Sequence, residues 1–400
     1  MAQRAAESGI VLLKNTRGRL PLHGKPKVAV LGANGNDTLV LLGNYHGTPY
    51  GNEVSTPFAA ITERVGADRS SFKLGAWPSG EGTWAFGNAI VAASAADVAV
   101  ITIGSSSKGT LNGFTFCNCK SNPHCNSISV VVFSGDAPER VLVIADTTIE
   151  KESLDRKSLT LPGMQLDLVK AIASQTTTPI IVVLIHGGPL DIAELMEMPR
   201  VEAVLSAGYG GQCAGSALTN VLWGVTSPSG RLPMSWTFDN YTHQVSEADM
   251  AMRPWPGRTH RFLQVPVLFK FGFGLSYSKW EHAINVSARS DAAATVSVTA
   301  KNIGSVASAR VVLLFGTPPP LTNDDNATEA IHMPMQPQQV LLGFEKLPSI
   351  QPGAECMHTF ELATHDAMAL SDHAGIARRL EGCWDLTVDD AHAELCVGGP

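Results

Sequence analysis

The chain is predicted to be an α/β protein, a layered α/β sandwich on a mainly parallel sheet, followed by a small all-β sandwich. Three observations predict this. The runs Lys27–Gly32, Asp97–Gly104, Pro179–Gly187 and Val201–Gly208 are largely apolar and rich in β-branched residues, as are strands covered on both faces. Helical segments such as Met164–Ala173 separate them, which is the order of a parallel sheet. Beyond Glu281 the pattern becomes short alternating strands with turn residues between them, the rhythm of an antiparallel sandwich.

In chain order, Ala2–Leu13 carries apolar residues near helical spacing and is expected as a helix. The strand at Lys27–Gly32 leads into Gly32-Ala-Asn-Gly35, which lacks the Gly-x-Gly-x-x-Gly of a dinucleotide loop. Gly43-Asn-Tyr-His-Gly-Thr-Pro49 is rich in turn formers and reads as an exposed loop. Residues Ser105–Arg140 show little periodicity and many Ser and Cys, so they are expected as an insertion or a gene-model artefact. The fourth strand passes through Tyr209–Gly215 into a helix over Ser216–Trp223. Pro254, Pro256 and Gly257 then break regular structure, and Phe271–Tyr277 closes a connecting region. Strands are expected at Thr295–Ala300, Ala309–Phe315, Gln339–Phe344, Cys356–Leu362 and Cys383–Val388. The domains so drawn are 1–252, a linker over 253–280, and 281–400.

Composition excludes several classes. With 400 residues and 44% hydrophobic content the chain can bury a sizeable core and split into two or more domains. A net charge of −7 gives no reason to expect nucleic acid or an anionic membrane as partner. No apolar run reaches the roughly 18 residues of a membrane span. The N-terminus lacks the basic start and apolar core of a signal peptide. Sequons at Asn36, Asn240, Asn285 and Asn326 point instead toward a secretory route. The cysteine cluster Cys117, Cys119 and Cys125 with His124 lacks the second ligand pair of a zinc site, so neither a metal nor another cofactor is expected.

Chemistry concentrates at Ile149-Glu-Lys-Glu-Ser-Leu-Asp-Arg156. Two carboxylates stand there in a loop after an apolar run and before a helix, and strand ends in α/β sheets open onto the crevice where ligands sit. His186 ends a buried strand and reads as a satisfied core histidine. Cys213 has no visible base partner and is not read as a nucleophile.

Seven ordered segments together resemble glycoside hydrolase family 3, in its plant-type β-xylosidase branch. They are Gly9–Asn15 with Leu20–Leu22, Gly43–Pro49, Ile149–Arg156 with Leu161–Gln165, Gly187–Pro189, Gly230–Trp236, Pro256–Phe262 and Phe271–Tyr277. Val296–Ser305 and Leu342–Leu347 look like the fibronectin type III-like domain that ends many members. The resemblance implies a retaining exo-β-glycosidase, most simply a β-D-xylosidase, with an oligosaccharide or aryl β-glycoside as substrate. It places the nucleophilic Asp on an N-terminal (β/α)8 barrel that this chain lacks, so a complete site needs that barrel in cis or in trans. The acid/base then falls on Glu150 by its place in the motif, with Glu152 as the alternative. Tyr45 and His46 sit in a family-like loop able to approach a sugar, Asp155 and Arg156 are expected to pair and shape the carboxylate loop, and Arg258 and Arg261 are expected to fasten the linker by salt bridges. Relatives of this pattern are extracellular or in the cell wall. The other reading is a non-catalytic remnant that binds carbohydrate or protein.

Overall fold

The computed structural model describes the chain except residues 77–81, 106–128, 132–141, 145–148, 247, 291, 321–335, 372–374 and 399–400. Most of the expected insertion 105–140, with its cysteine cluster, and Asn326 lie outside the described residues. The chain divides into two compact units, Met1–Gly230 and Arg231–Pro400.

In the first unit the elements run α1 (Ala2–Gly9), β1 (Val11–Asn15), β2 (Val28–Leu31), α2 (Pro57–Val65), β3 (Ser70–Lys73), α3 (Phe86–Ser94) and β4 (Val98–Gly104). After β5 (Ser129–Val131) and β6 (Leu142–Ile144), an antiparallel pair, follow α4 (Gln165–Gln175), β7 (Ile180–Ile185), α5 (Ala193–Glu197), β8 (Val201–Ser206) and α6 (Ala214–Leu222). One six-stranded sheet has the order β1-β8-β7-β4-β2-β3, and only β1 runs antiparallel to its neighbour. Every residue of β2, β4, β7 and β8 is buried, the expected consequence of helices on both faces. Each fully buried Val, Leu or Ile side chain contributes about 1.5–3 kcal/mol, so these four strands anchor the unit. Thr56 caps α2 by accepting the Ala59 N–H at 3.2 Å, with Pro57 in its first turn.

Two expectations are corrected here. The helix predicted over Ala2–Leu13 stops at Gly9, and Val11–Leu13 enter the sheet as β1, fully buried and paired to β8. Gly9 and the β-branched Ile10 and Val11 end the helix, and burial against β8 outweighs the helical spacing. The edge strand β3, Ser-Ser-Phe-Lys, was not expected, because only Phe72 breaks its polar run.

The second unit contains β9 (Trp236–Thr237), α7 (Thr259–Phe262), β10 (Val267–Phe269), β11 (Trp280–Ser290), β12 (Ala293–Asn302), β13 (Ser308–Thr317), β14 (Val340–Ile350) and β15 (Glu355–Ala363). It closes with α8 (Thr364–Ala367), β16 (Ala369–Ser371), β17 (Ala377–Arg379), β18 (Gly382–Val388) and β19 (Ala391–Val397). Antiparallel sheets β11-β12-β15 and β14-β13-β18-β19 form an all-β sandwich. Strict alternation of buried and partly exposed residues along β13 turns Val312 and Leu314 inward, onto Val296, Val298 and the fully buried Trp384. β11 and β19, unpredicted, mix polar and apolar residues. Cys383 and Cys396 face each other across β18 and β19 and form a disulfide.

Candidate active site

Three adjacent parallel strands end at one place. β4 is followed by Ser105, β7 by His186 and Gly187, and β8 by Ala207, Gly208 and Tyr209. The crevice at the carboxyl ends of such strands is where α/β sheets bind ligands. Glu150 fills part of it. Its Oε1 accepts from Ser105 Oγ at 2.5 Å, from the Gly187 N–H at 2.6 Å and from the Tyr209 hydroxyl at 2.8 Å. Its Oε2 pairs with Arg156 Nε at 2.7 Å, and Arg156 Nη2 donates to the Pro189 carbonyl at 2.7 Å. One carboxylate thereby ties together three strand ends and its own loop.

Glycines make the room. A Cβ at Gly187 would lie 2.8 Å from Glu150 Oε1 and 3.0 Å from the Tyr209 ring, and one at Gly188 would lie 2.8 Å from Arg156 Nη2. Gly104 sits at φ +136°, with a hypothetical Cβ 2.1 Å from the Ile185 carbonyl, so no side chain fits there. Its N–H donates to Gln165 Oε1 at 2.6 Å and its carbonyl accepts from Gln165 Nε2 at 2.8 Å, which fixes the end of β4 against the start of α4.

Electrostatics give Glu150 a defined state. Burial pushes its carboxyl up, but the Ser105 hydrogen bond, the Arg156 guanidinium, Tyr209 and the Gly187 N–H outweigh it and hold the pKa below the ordinary glutamate value. The same carboxylate, with burial as the larger cause, raises the Tyr209 phenol. His186 lies beneath, hydrogen-bonded to Ser206 Oγ at 2.9 Å, and burial pushes its imidazole down to about 4. It is a neutral core histidine, as the sequence suggested.

Glu152 has the opposite setting. Lys151 and Leu154 exchange backbone hydrogen bonds at 3.1 and 3.0 Å, so Glu152 and Ser153 form the tip of a two-residue turn, with Ser153 at φ +64°. At the tip Glu152 is exposed, and the Tyr45 hydroxyl donates to its Oε2. That hydrogen bond raises the Tyr45 phenol. The loop carrying Tyr45 is fastened at both ends. Gly43 packs on the Tyr209 ring, and the Gln212 side chain both accepts the Tyr50 N–H at 3.0 Å and donates to the Tyr50 carbonyl at 2.7 Å.

Sequence-predicted residues are thus brought together in part. Tyr45 meets Glu152, whereas His46 is exposed with its Nδ1 2.8 Å from the neighbouring Gly47 carbonyl. The Asp155–Arg156 pair gives way to Glu150–Arg156, with Asp155 exposed, because adjacent residues in an extended loop point apart. Arg258 fastens its segment through the carbonyls of Ala251, Ser246 and Asp249 rather than by salt bridges, and Arg261 stacks over Phe262. Sequence reasoning missed Ser105, Tyr209 and Gln165 as partners of the carboxylate crevice. The available signal was position: two directly follow apolar strands and the third opens the next helix. Among the described residues, the metal-ligating cluster Cys383, Glu394 and Cys396 has its two thiols spent in the disulfide.

The strand-end crevice belongs to an α/β sandwich domain, and comparison with known proteins specifies which. Residues 10–277 match the glycosyl hydrolase family 3 C-terminal domain, and the chain belongs to that family. It is 30% identical to β-xylosidase/α-L-arabinofuranosidase 2 of Medicago sativa subsp. varia over 99% of this chain and 48% of the relative. Against β-D-xylosidase 1 of Arabidopsis thaliana the identity is 35% over 76% of this chain and 34% of the relative. A GH3 exo-β-xylosidase solved with a xylobiose aziridine activity-based probe shares the fold, with a TM-score of 0.78 at 24% identity over 99% of this chain and 48% of that one. The GH3 β-glucosidase of Bifidobacterium adolescentis follows at a TM-score of 0.72 and 23% identity, over 99% of this chain and 52% of that one. The chain spans half or less of the length of these curated relatives.

Proposed function

We propose that the chain is the C-terminal portion of a retaining exo-β-glycosidase, a β-D-xylosidase acting on short xylan-derived oligosaccharides, with Glu152 as acid/base and Glu150 as the positioning carboxylate beneath it. One observation carries the assignment. Glu150 is held ionised by four donors, whereas Glu152 stands exposed at the turn tip, two residues on. A general acid must carry a proton near the working pH, and a carboxylate accepting three hydrogen bonds and an ion pair does not. The motif ranks Glu150 first, and the geometry favours Glu152.

In this reading a nucleophilic carboxylate from a barrel, in cis or in trans, stands about 5–5.5 Å from Glu152 across the scissile bond. Glu152 gives its proton to the leaving oxygen as the nucleophile bonds to the anomeric carbon. It then takes a proton from the water that releases the sugar. Tyr45 orients Glu152, and the network around Glu150 holds the turn on the sheet. The xylose preference rests on the names of the relatives. An extracellular or cell-wall location is supported by the Cys383–Cys396 disulfide, a feature of oxidising compartments, and by the exposure of the sequon residues Asn240 and Asn285.

The test uses the chain joined to a family barrel. Glu152→Gln should slow an aryl β-xyloside with a poor leaving group by about 10²–10⁴-fold. It should spare the first step with a dinitrophenyl leaving group, and azide should restore turnover as the glycosyl azide. Azide rescue of Glu150→Gln, with Glu152→Gln near wild-type, would overturn the assignment.

A further inference from the structure

The second unit holds a cavity of about 670 Å³, within the roughly 300–1,000 Å³ range of small-molecule sites. It shares no residue with the carboxylate crevice, and all its walls come from the second unit. One wall is apolar: Phe271, Leu313 and Phe315, the two rings edge to face at 5.9 Å. Another part of the lining is polar and held by ion pairs. Asp389 accepts from Arg310 Nη2 at 2.6 Å and lies 3.4 Å from both Arg231 Nη2 and His282 Nε2. Arg231 is further pinned by the carbonyls of Gly272, Gly274 and Val311 at 3.0–3.3 Å. The side chains of Arg231, Arg310 and His282 are only 12%, 11% and 2% exposed. Asp390, 85% exposed, and Gln339 also line it and offer polar capacity.

Charge narrows the ligand. Arg231, Arg310 and Lys270 face Asp389 and Asp390, so three cations stand against two carboxylates in the lining. That near-balance does not suit a polyanion, whose binding rests on an excess of cations. Fixed guanidiniums beside carboxylates can give and take hydrogen bonds from one hydroxyl, and apolar side chains in the same lining can cover the C–H face of a ring. Little ordering is lost on binding, because ion pairs already hold the polar wall.

We propose that this cavity is a saccharide site that takes a short neutral oligosaccharide segment, with hydroxyls on the Asp389–Asp390 wall and a ring face on Phe271 and Phe315. It would give the protein a hold on sugar chains that is separate from the carboxylate crevice. The argument stands on the cavity alone and does not rest on the assignment of Glu152.

The experiment is calorimetric titration of the full chain with xylotriose, with glucuronate and inorganic phosphate in parallel. Saturable xylotriose binding is expected. Asp390→Ala and Gln339→Ala, changes at the mouth that leave the core intact, should each weaken it about tenfold, the usual size for a hydrogen bond lost at a charged or amide partner. Tyr45→Ala and Glu152→Gln should leave it unchanged. The proposal is overturned by absence of saturable binding, by loss of binding in the Tyr45 or Glu152 variants but not the Asp390 and Gln339 ones, or by binding of glucuronate or phosphate without xylotriose.

Discussion

At the scale of the residue, two buried titratable groups in the first unit act on stability with opposite signs. Burial lowers the His186 imidazole to about 4 from the ordinary 6.5, so its contribution is present above pH 6.5 and is lost as the pH falls toward 4. Burial raises Asp37 to about 6 from 3.8, against the Leu39 and Val40 N–H groups it accepts, so its contribution is present below pH 3.8 and is lost as the pH rises past 6. Asp37→Asn should therefore stabilise above pH 6 by about 1–3 kcal/mol while keeping its acceptor oxygen, and chemical denaturation at pH 7.5 and pH 4 would show it. His186→Gln should flatten the rise in stability between pH 4 and 6.5, and an unaltered slope would mean the imidazole is charged within the fold. Glu150 acts on the acid side. Its folded pKa lies below 4.5, so its contribution is full above that value and is lost as the pH drops through the lowered one. Both carboxylates of the loop were legible in the sequence as chemistry. Their different surroundings were not, because the donors that hold Glu150 come from Ser105, Gly187 and Tyr209.

At the scale of the element, the crevice depends on how β4 and the Gly187-Gly188 turn end. Gln165→Leu removes both hydrogen bonds to Gly104 and leaves a buried N–H and C=O unpaired, which should cost about 2–4 kcal/mol in a urea melt. Gly187→Ala should displace the Glu150 carboxylate, because its methyl group would stand 2.8 Å from Oε1. The readout is the acid limb of the stability curve, which should become shallower as Glu150 loses donors and its pKa returns toward the ordinary value. A wild-type limb in that variant would mean the loop yields without cost. Central strands β4, β7 and β8 were legible because burial on both faces writes a continuous apolar run. The strands β1, β3 and β11 were not. β1 looks helical beside α1, while β3 and β11 lie at sheet edges, where side chains are only partly covered and leave a mixed pattern.

At the scale of the whole molecule, the second unit is closed by a covalent link as well as by its core. Cys383 and Cys396 are 13 residues apart in sequence, and joining them removes unfolded-chain entropy worth about 3 kcal/mol in the loop-closure model. A Cys383→Ser, Cys396→Ser double variant should lower the unfolding midpoint of this unit, and the wild-type chain should show the same shift under reductant. Equal midpoints in both comparisons would mean the hairpin is held by its ladder alone. The chain's length relative to its relatives matters at this scale too. On the function proposed above, retaining hydrolysis needs a second carboxylate, so this chain assayed by itself should show no turnover, and addition of a barrel half should give turnover if the two assemble in trans.

The sequence by itself determined the α/β class, the β-sandwich that follows, the family and the loop where the carboxylates lie. Each of these is written in local patterns, in the burial period of strands and in short motifs whose residues are neighbours along the chain. The tertiary structure decided that Glu150 is buried among four donors while Glu152 is exposed at a turn tip, that Arg156 turns to Glu150, and that Tyr45 stands on Glu152. These rest on groups that three strand ends and a distant loop bring within hydrogen-bond reach, and the protonation state of a carboxyl is set by such neighbours in space.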